Sequence, residues 1–252
     1  MGRGTNFDPA PGETELNNFS PNPKNTYSPY AASQTEAGTN ALMQRVSYLL
    51  CTALLVTAGA AYWAAQAQLS PGLFLPLAVG TFVCVFAIGA ARSNPTLGLV
   101  LLYVLSTLEG LLLGPMLGAI ARGYPYGAAV IGEAAVLSAV IMAGLGSYVW
   151  ISGKDFGGIG KFLIWGLVGL IVVGLLGFFV RFTPGFNLIY AIGGAALFAG
   201  FALYDFSNIK HRYGPNDYVA ATVGLYLDFL NLFLFLIQIL MALSGGGSSR
   251  RN

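Results

Sequence analysis

Seven long apolar runs, at roughly 46–66, 72–91, 97–121, 126–150, 161–181, 186–207 and 218–243, decide what this chain can become. A helix crosses a bilayer with about 20 mostly apolar residues, so every run is long enough to span. Turn signals separate them: Ser70, Pro71 and Gly72; Ser93, Asn94 and Pro95; Gly123, Tyr124 and Pro125; Ser152 to Asp155; Thr183, Pro184 and Gly185; and the polar stretch from Lys210 to Asp217. Connections this short put neighbouring helices antiparallel in one bundle. The predicted fold is therefore an all-α membrane protein with seven transmembrane helices. Composition agrees, because only 9% of residues are charged, against about 25% in a soluble domain.

Residues 1–41 are rich in Asn, Pro, Gly, Ser and Thr and poor in aliphatic side chains, which predicts a disordered tail. The membrane domain is expected at 42–244, with a flexible tail at 245–252. No early apolar segment of the signal-peptide kind is visible, so the first span itself is expected to direct insertion. With the N-terminus in the cytoplasm, inside segments carry Arg3, Lys24, Arg45, Arg92, Lys154, Lys161, Lys210 and Arg212, and outside ones Arg122, Arg181, Arg250 and Arg251. That excess of inside cations favours a cytoplasmic N-terminus. No retention signal ends the chain, and a bacterial inner membrane is the expected location.

Several classes of function are set aside. The net charge of +2, with basic residues scattered among the loops, gives no footprint for nucleic acid. Cys51 and Cys84 lie within apolar runs without histidine neighbours and read as small buried hydrophobes. The only histidine, His211, falls in a polar loop and reads as solvated, so no catalytic triad or metal-ligand set can be assembled and no enzyme or resident cofactor is expected. Gly110, Gly114 and Gly118 recur every four residues on the third span, beside Pro115, and read as a packing groove and a bend.

Four carboxylates stand inside apolar runs: Glu109, Glu133, Asp205 and Asp228. A charged residue at a membrane-helix centre costs about 2.5–3.5 kcal/mol on insertion scales, so each must face the bundle, take a proton or find a partner. Glu133 has no patterned polar company and is expected to be a neutral acid satisfied by a neighbouring helix. Asp228, Asn231, Phe235 and Gln238 step by three and four residues and share one stripe, while Ala220, Ala221 and Gly224 keep the first turns slim. The seventh span is therefore expected at the core, its stripe with Glu109 a candidate polar path.

Asp205 closes the sixth span, and Arg92 closes the second on the same side; they form a charge-assisted pair or reach separately for headgroups. Asp228 lies about ten residues into its span, roughly 15 Å deep. It meets Asp205 only if the bundle tilts or the sixth helix runs on. Two aspartates that do meet in a low-dielectric site would share a proton and titrate together. Deprotonation would then drive the helices apart and admit water or a hard cation such as Ca²⁺, a proton-operated gate.

Tyr204-Asp205-Phe206-Ser207-Asn208-Ile209-Lys210, Leu225-Tyr226-Leu227-Asp228-Phe229-Leu230-Asn231-Leu232-Phe233 and Leu108-Glu109-Gly110-Leu111-Leu112-Leu113-Gly114-Pro115 together resemble the transmembrane Bax inhibitor motif family, also called Bax inhibitor-1-like. The likeness runs from about Gln44 to Leu243. It implies six helices around a central seventh and a pH-sensitive calcium leak of the membrane. It also implies that Asp205 and Asp228 form the pH sensor, holding Ca²⁺ transiently as the permeant ion, and that Arg92 latches the closed state. Glu109 matches an acidic position that some members carry. The alternative implied by the family is a regulatory protein that binds and restrains a membrane-bound protease or modulates stress responses. A proton-coupled transporter is a third reading, which the odd number of spans and the lack of a visible inverted repeat disfavour.

Overall fold

The computed structural model describes residues 1–2, 29–67, 69–177 and 179–245. The chain divides into two units, Met1–Gly38 and Thr39–Asn252, and all packing described below lies within the second. Among the described residues seven α-helices follow in order: α1 Pro29–Ala67, α2 Phe74–Ala90, α3 Pro95–Gly123, α4 Gly127–Ser152, α5 Gly160–Leu176, α6 Pro184–His211 and α7 Tyr218–Gly245, with short 3-10 turns before α2, α3 and α5. There is no strand among the described residues. The 1–41 tail falls largely outside the described residues, and α1 already begins at Pro29. The C-terminal tail lies outside them as well beyond residue 245.

The turn residues act as expected. Asn94 accepts from the Leu97 N–H at 3.2 Å ahead of Pro95, and Thr183 accepts from the Phe186 N–H at 3.3 Å ahead of Pro184. Both are side-chain N-caps with proline at the first helical position, the arrangement that leaves fewest orphan donors. Gly153 closes α4 at φ 64°, a left-handed cap that glycine adopts without strain. Gly127 is needed for another reason: a Cβ there would run into the Ile120 carbonyl.

Among the described residues six helices are long and apolar enough to cross a membrane, α5 together with the 3-10 turn that leads into it (Gly157–Leu176), while α2, at 17 residues, is a shorter apolar helix at the low end of spanning length. Large apolar side chains point outward around the bundle, among them Phe82, Phe86, Val140, Phe162, Trp165 and Ile171. Water does not tolerate patches of this kind, whereas acyl chains do. The protein is an integral membrane protein.

Three boundaries differ from expectation for local reasons. α5 stops at Leu176 instead of 181, because the Gly177 N–H bonds the Val173 and Gly174 carbonyls and tightens the chain into a turn. α6 continues past 207 to His211, placing Lys210 and His211 in its last turn, where the Lys210 cation complements the helix dipole. His211 is thus no loop residue; its Nδ1 meets the Ser207 carbonyl at 3.0 Å. Cys84 is buried as expected, but Cys51 is exposed on the apolar surface of α1.

α7 packs against α6, α4 and α3 and reaches α1 through Tyr226. The glycines of α3 do form a groove, and α1 lies in it. A Cβ on Gly110 would stand 2.5 Å from the Thr57 carbonyl oxygen, and one on Gly114 the same distance from the Ala61 carbonyl oxygen. At Gly118 an added Cβ would stand 2.9 Å from the Ala65 methyl. Pro115 lies inside α3 and turns elsewhere, lining a 470 Å³ cleft with Leu73, Phe74 and Leu77 at the α2 side.

Candidate functional site

The ridge between α6 and α7 holds the acid pair. Asp228 is 5% exposed, and its Oδ2 is buried with no hydrogen-bond partner. A buried carboxyl oxygen left without a partner costs at least about 1–3 kcal/mol, more if charged, so its retention calls for a reason. Asp205 is the neighbouring acid. Its carboxyl lies over Gly224, one helical turn before Asp228, where a Cβ would collide with Asp205 Oδ2. The slim turn read from the sequence therefore has a specific use: only glycine leaves room for the neighbouring acid.

The extra turn of α6 is what brings these residues together. With the helix intact through Asn208, Ser207 and Asn208 are buried beside Asp205. Asn208 Oδ1 accepts from Arg212 Nη1 at 3.3 Å. Arg212 in turn grips Asp155 of the α4–α5 connection through both terminal nitrogens, each at 2.7 Å. Hydrogen bonds thus run from that connection to Asn208, one helical turn after Asp205.

The other residues singled out from the sequence scatter. Arg92 stands in the 3-10 turn Ala91–Ser93, and its side chain lies outside the described residues. Asn231 is half-buried and donates to the Leu227 carbonyl of its own helix at 2.8 Å. Gln238 is exposed and lines a 430 Å³ cleft with Asn187, Tyr190 and Phe182, far along α7 from the acids. Phe235 fills the space over Gly194 and stacks on Phe198. The stripe is thus continuous along the helix yet serves three different surroundings. Glu133, expected to be satisfied by a neighbouring helix, is exposed on the outer face of α4, because that face packs against nothing in the bundle.

Glu109 is half-buried on α3 and acts electrostatically on Tyr226. Tyr226 is fully buried, and its hydroxyl meets Thr57 Oγ1 at 2.7 Å. Thr57 also donates to the Ala53 and Ser106 carbonyls within reach of 3.0 and 3.1 Å. The sequence reading missed this polar cluster, since lone Thr, Ser and Tyr residues in apolar runs carry no spacing signal. It missed the Asp155–Arg212 pair too, although two opposite charges in two short loops on one side were a signal. No group of three or more His, Cys, Asp or Glu side chains able to hold a metal occurs among the described residues.

Fold and site together define a polytopic α-helical membrane protein with a carboxyl pair buried between its last two helices. The profile of the family described as Inhibitor of apoptosis-promoting Bax1 matches residues 39–245. The chain belongs to that Bax inhibitor-1-like family. It is 35% identical to an uncharacterised membrane protein of Vibrio cholerae over 202 residues, 80% of this chain and 89% of that one. It is 36% identical to Bax inhibitor 1 of Schizosaccharomyces pombe over 141 residues, 56% of this chain and 51% of that one. With Protein lifeguard 4 of Mus musculus it shares 32% over 175 residues, 69% of this chain and 71% of the other.

Proposed function

We propose that the protein is a pH-sensitive cation leak with calcium as its permeant ion, gated by Asp205 and Asp228. The observation that carries this reading is the buried, unpartnered Asp228 Oδ2, one helical turn after Gly224, over which the Asp205 carboxyl lies. Two carboxylates this close in a low-dielectric site repel when both are charged, and a proton held between them removes the repulsion. Proton loss separates α6 from α7, water enters, and a hard cation is transiently held by the carboxylate oxygens. Arg92 favours the closed state. α7 serves as the central axis of the bundle, in keeping with its side-chain contacts to α1, α3, α4 and α6. The protein sits in a bacterial inner membrane with its N-terminus in the cytoplasm, and it carries out no catalysis.

The experiment is calcium flux from proteoliposomes across a pH series. Flux that rises with pH in the parent, and loses that dependence in Asp228→Asn, supports the gate; an unchanged profile removes it. The name of the Schizosaccharomyces pombe relative, Bax inhibitor 1, favours a second reading, in which the protein restrains a partner protein; for this chain the partner in that reading is a membrane-bound protease. Removing residues 1–41 separates the two. Lost control of the partner with intact flux assigns the tail to binding.

A further inference from the structure

We propose that the 430 Å³ cleft between α5, α6 and α7 is one mouth of the path, and that Phe235, seated on Gly194, is the plug that separates it from Asp228. This rests on the reading of Asp205 and Asp228 as the gate and adds a second closure in series with it. The seam between α6 and α7 is pinned at two places in the same manner. Asp205 of α6 lies over Gly224 of α7, and Phe235 of α7 lies over Gly194 of α6; at either glycine a Cβ would collide with the seated side chain. On each helix the two contacts are eleven residues apart, from 194 to 205 and from 224 to 235, roughly 16 Å of helix. The antiparallel register is therefore constant from one contact to the other, and Asp228 stands between them.

Apolar side chains fill the interval from Asp228 to the cleft. Leu232, Ala202, Phe198 and Phe235 are buried together in one cluster. Phe235 stacks on Phe198 with ring centroids 6.0 Å apart, and Phe198 meets Phe201 at 5.9 Å. Phe235 also meets Tyr190 edge-on at 5.8 Å. Tyr190 is a fixed wall, its hydroxyl donating to the Leu170 carbonyl at 3.1 Å in room that Gly174 leaves by lacking a Cβ. Beyond that wall the surroundings become polar. Tyr190, Asn187 and Gln238 line the cleft, and the Gln238 amino group donates to the Leu234 carbonyl at 3.3 Å, which leaves its Oε1 as an acceptor. The cleft lies close to Leu176, Pro184 and Gly245, where α5 ends, α6 begins and α7 ends, so it opens at a membrane boundary.

A hydrated cation cannot cross such a plug, because the rings offer no oxygen in exchange for its water shell, and apolar constrictions close a pore by expelling water. Separation of the helices at Asp205 alone leaves Phe235 on its glycine. Conduction therefore needs the ring to leave Gly194 as well. The constant register couples the two events, since rigid helices that part along their length unseat both side chains.

The test uses the full chain with Cys51→Ser and Cys84→Ser in lipid nanodiscs, where both ends of the bundle meet water, and a cationic, membrane-impermeant methanethiosulfonate as probe. With Phe235 in place, Gln238→Cys should be modified readily and Leu232→Cys slowly. Phe235→Ser should speed modification of Leu232→Cys about tenfold or more, the ratio given by an opening free energy lowered by about 1.4 kcal/mol. Phe233 is the matched control, lying on the same helix, likewise 7% exposed, and packing toward α3 and α4; Phe233→Ser should leave the rate where it was. If Phe235→Ser does not fold, Phe235→Leu, which keeps apolar volume without the ring, carries the test with a smaller acceleration. An unchanged rate in the folded Phe235 variant, or an equal rise in Phe233→Ser, would overturn the plug. A thiol in Gln238→Cys as slow as that in Leu232→Cys would overturn the mouth. In proteoliposomes Phe235→Ser should also raise calcium flux at the pH where the parent conducts; faster labelling without added flux in a conducting parent would overturn Phe235 as a closure. Labelling is independent of transport, so faster labelling in a protein that passes no calcium in any variant would sink the leak and keep the plug.

Discussion

The two faces of α7 hold buried polar groups of opposite character. Residues 226 and 228 are about 200° apart around a helix, so Tyr226 looks toward α1 and α3 while Asp228 looks toward α6. On the Tyr226 face every hydroxyl is paired: Tyr226 with Thr57, Thr57 with two carbonyls, Ser106 with the Leu102 carbonyl at 2.9 Å. On the Asp228 face a carboxyl oxygen is buried and left open. A closed network fixes a helix in register and has nothing to gain from change. An open one stores free energy that a proton or cation can release. The same helix is thereby anchored on one side and poised on the other.

The largest expected effect breaks the poised face alone. Asp228→Asn removes the charge and gives Asp205 an amide donor, so the pH dependence of flux disappears entirely while thermal unfolding in detergent stays unchanged or moves up. A variant that loses stability and keeps the pH profile would place Asp228 with the structural groups. Next comes a matched pair of glycines. Gly224→Ala and Gly110→Ala both force a methyl into occupied space, and overpacking of this kind costs about 1–3 kcal/mol. Unfolding midpoints should fall for both, yet only Gly224→Ala should move the pH profile of flux, because its methyl lands on Asp205 and that of Gly110 lands on α1.

Tyr226→Phe sharpens the anchored face. It deletes one buried hydrogen bond while Thr57 keeps the Ala53 and Ser106 carbonyls, so the loss should be about 0.5–1.5 kcal/mol. Chemical denaturation should register that loss with the pH profile intact. A changed profile would join the two faces into one device and would bring Glu109, which acts on Tyr226, into the mechanism.

Legibility in the sequence followed the same division. Periodicity and turn residues located the helices because lipid imposes length and capping locally: Asn94 with Pro95 and Thr183 with Pro184 are start signals needing no tertiary context. Asp205 and Asp228 stood out because an acid in an apolar run is costly anywhere. The end of α6 was misjudged because Ser207 to His211 is polar by composition, and only packing against the α4–α5 connection shows why a polar segment stays helical. Thr57, Ser106 and Tyr226 were silent for the opposite reason, each being unremarkable until three helices bring them together.

The smallest expected effect concerns Asp155, and its sign separates the loop from the acid face. Hydrogen bonding to Arg212 first, then the Gly157 N–H, holds the Asp155 carboxyl well below the usual carboxylate range. The folded value lies below the unfolded one of about 3.9, so any stability from Asp155 is fully present above that pH and is lost as pH falls through the folded value. Across about pH 5–8 the contribution is flat. With both partners near half exposure, at 43% for Arg212 and 51% for Asp155, salt also screens the pair, and the effect on unfolding should be slight. The difference in unfolding temperature between parent and Asp155→Asn should therefore stay constant from about pH 8 to 5 and close only in strong acid. A difference that closed between about pH 8 and 6 would make Asp155 itself a sensor in the physiological range, and the pH response assigned to the poised face of α7 would then have a second source.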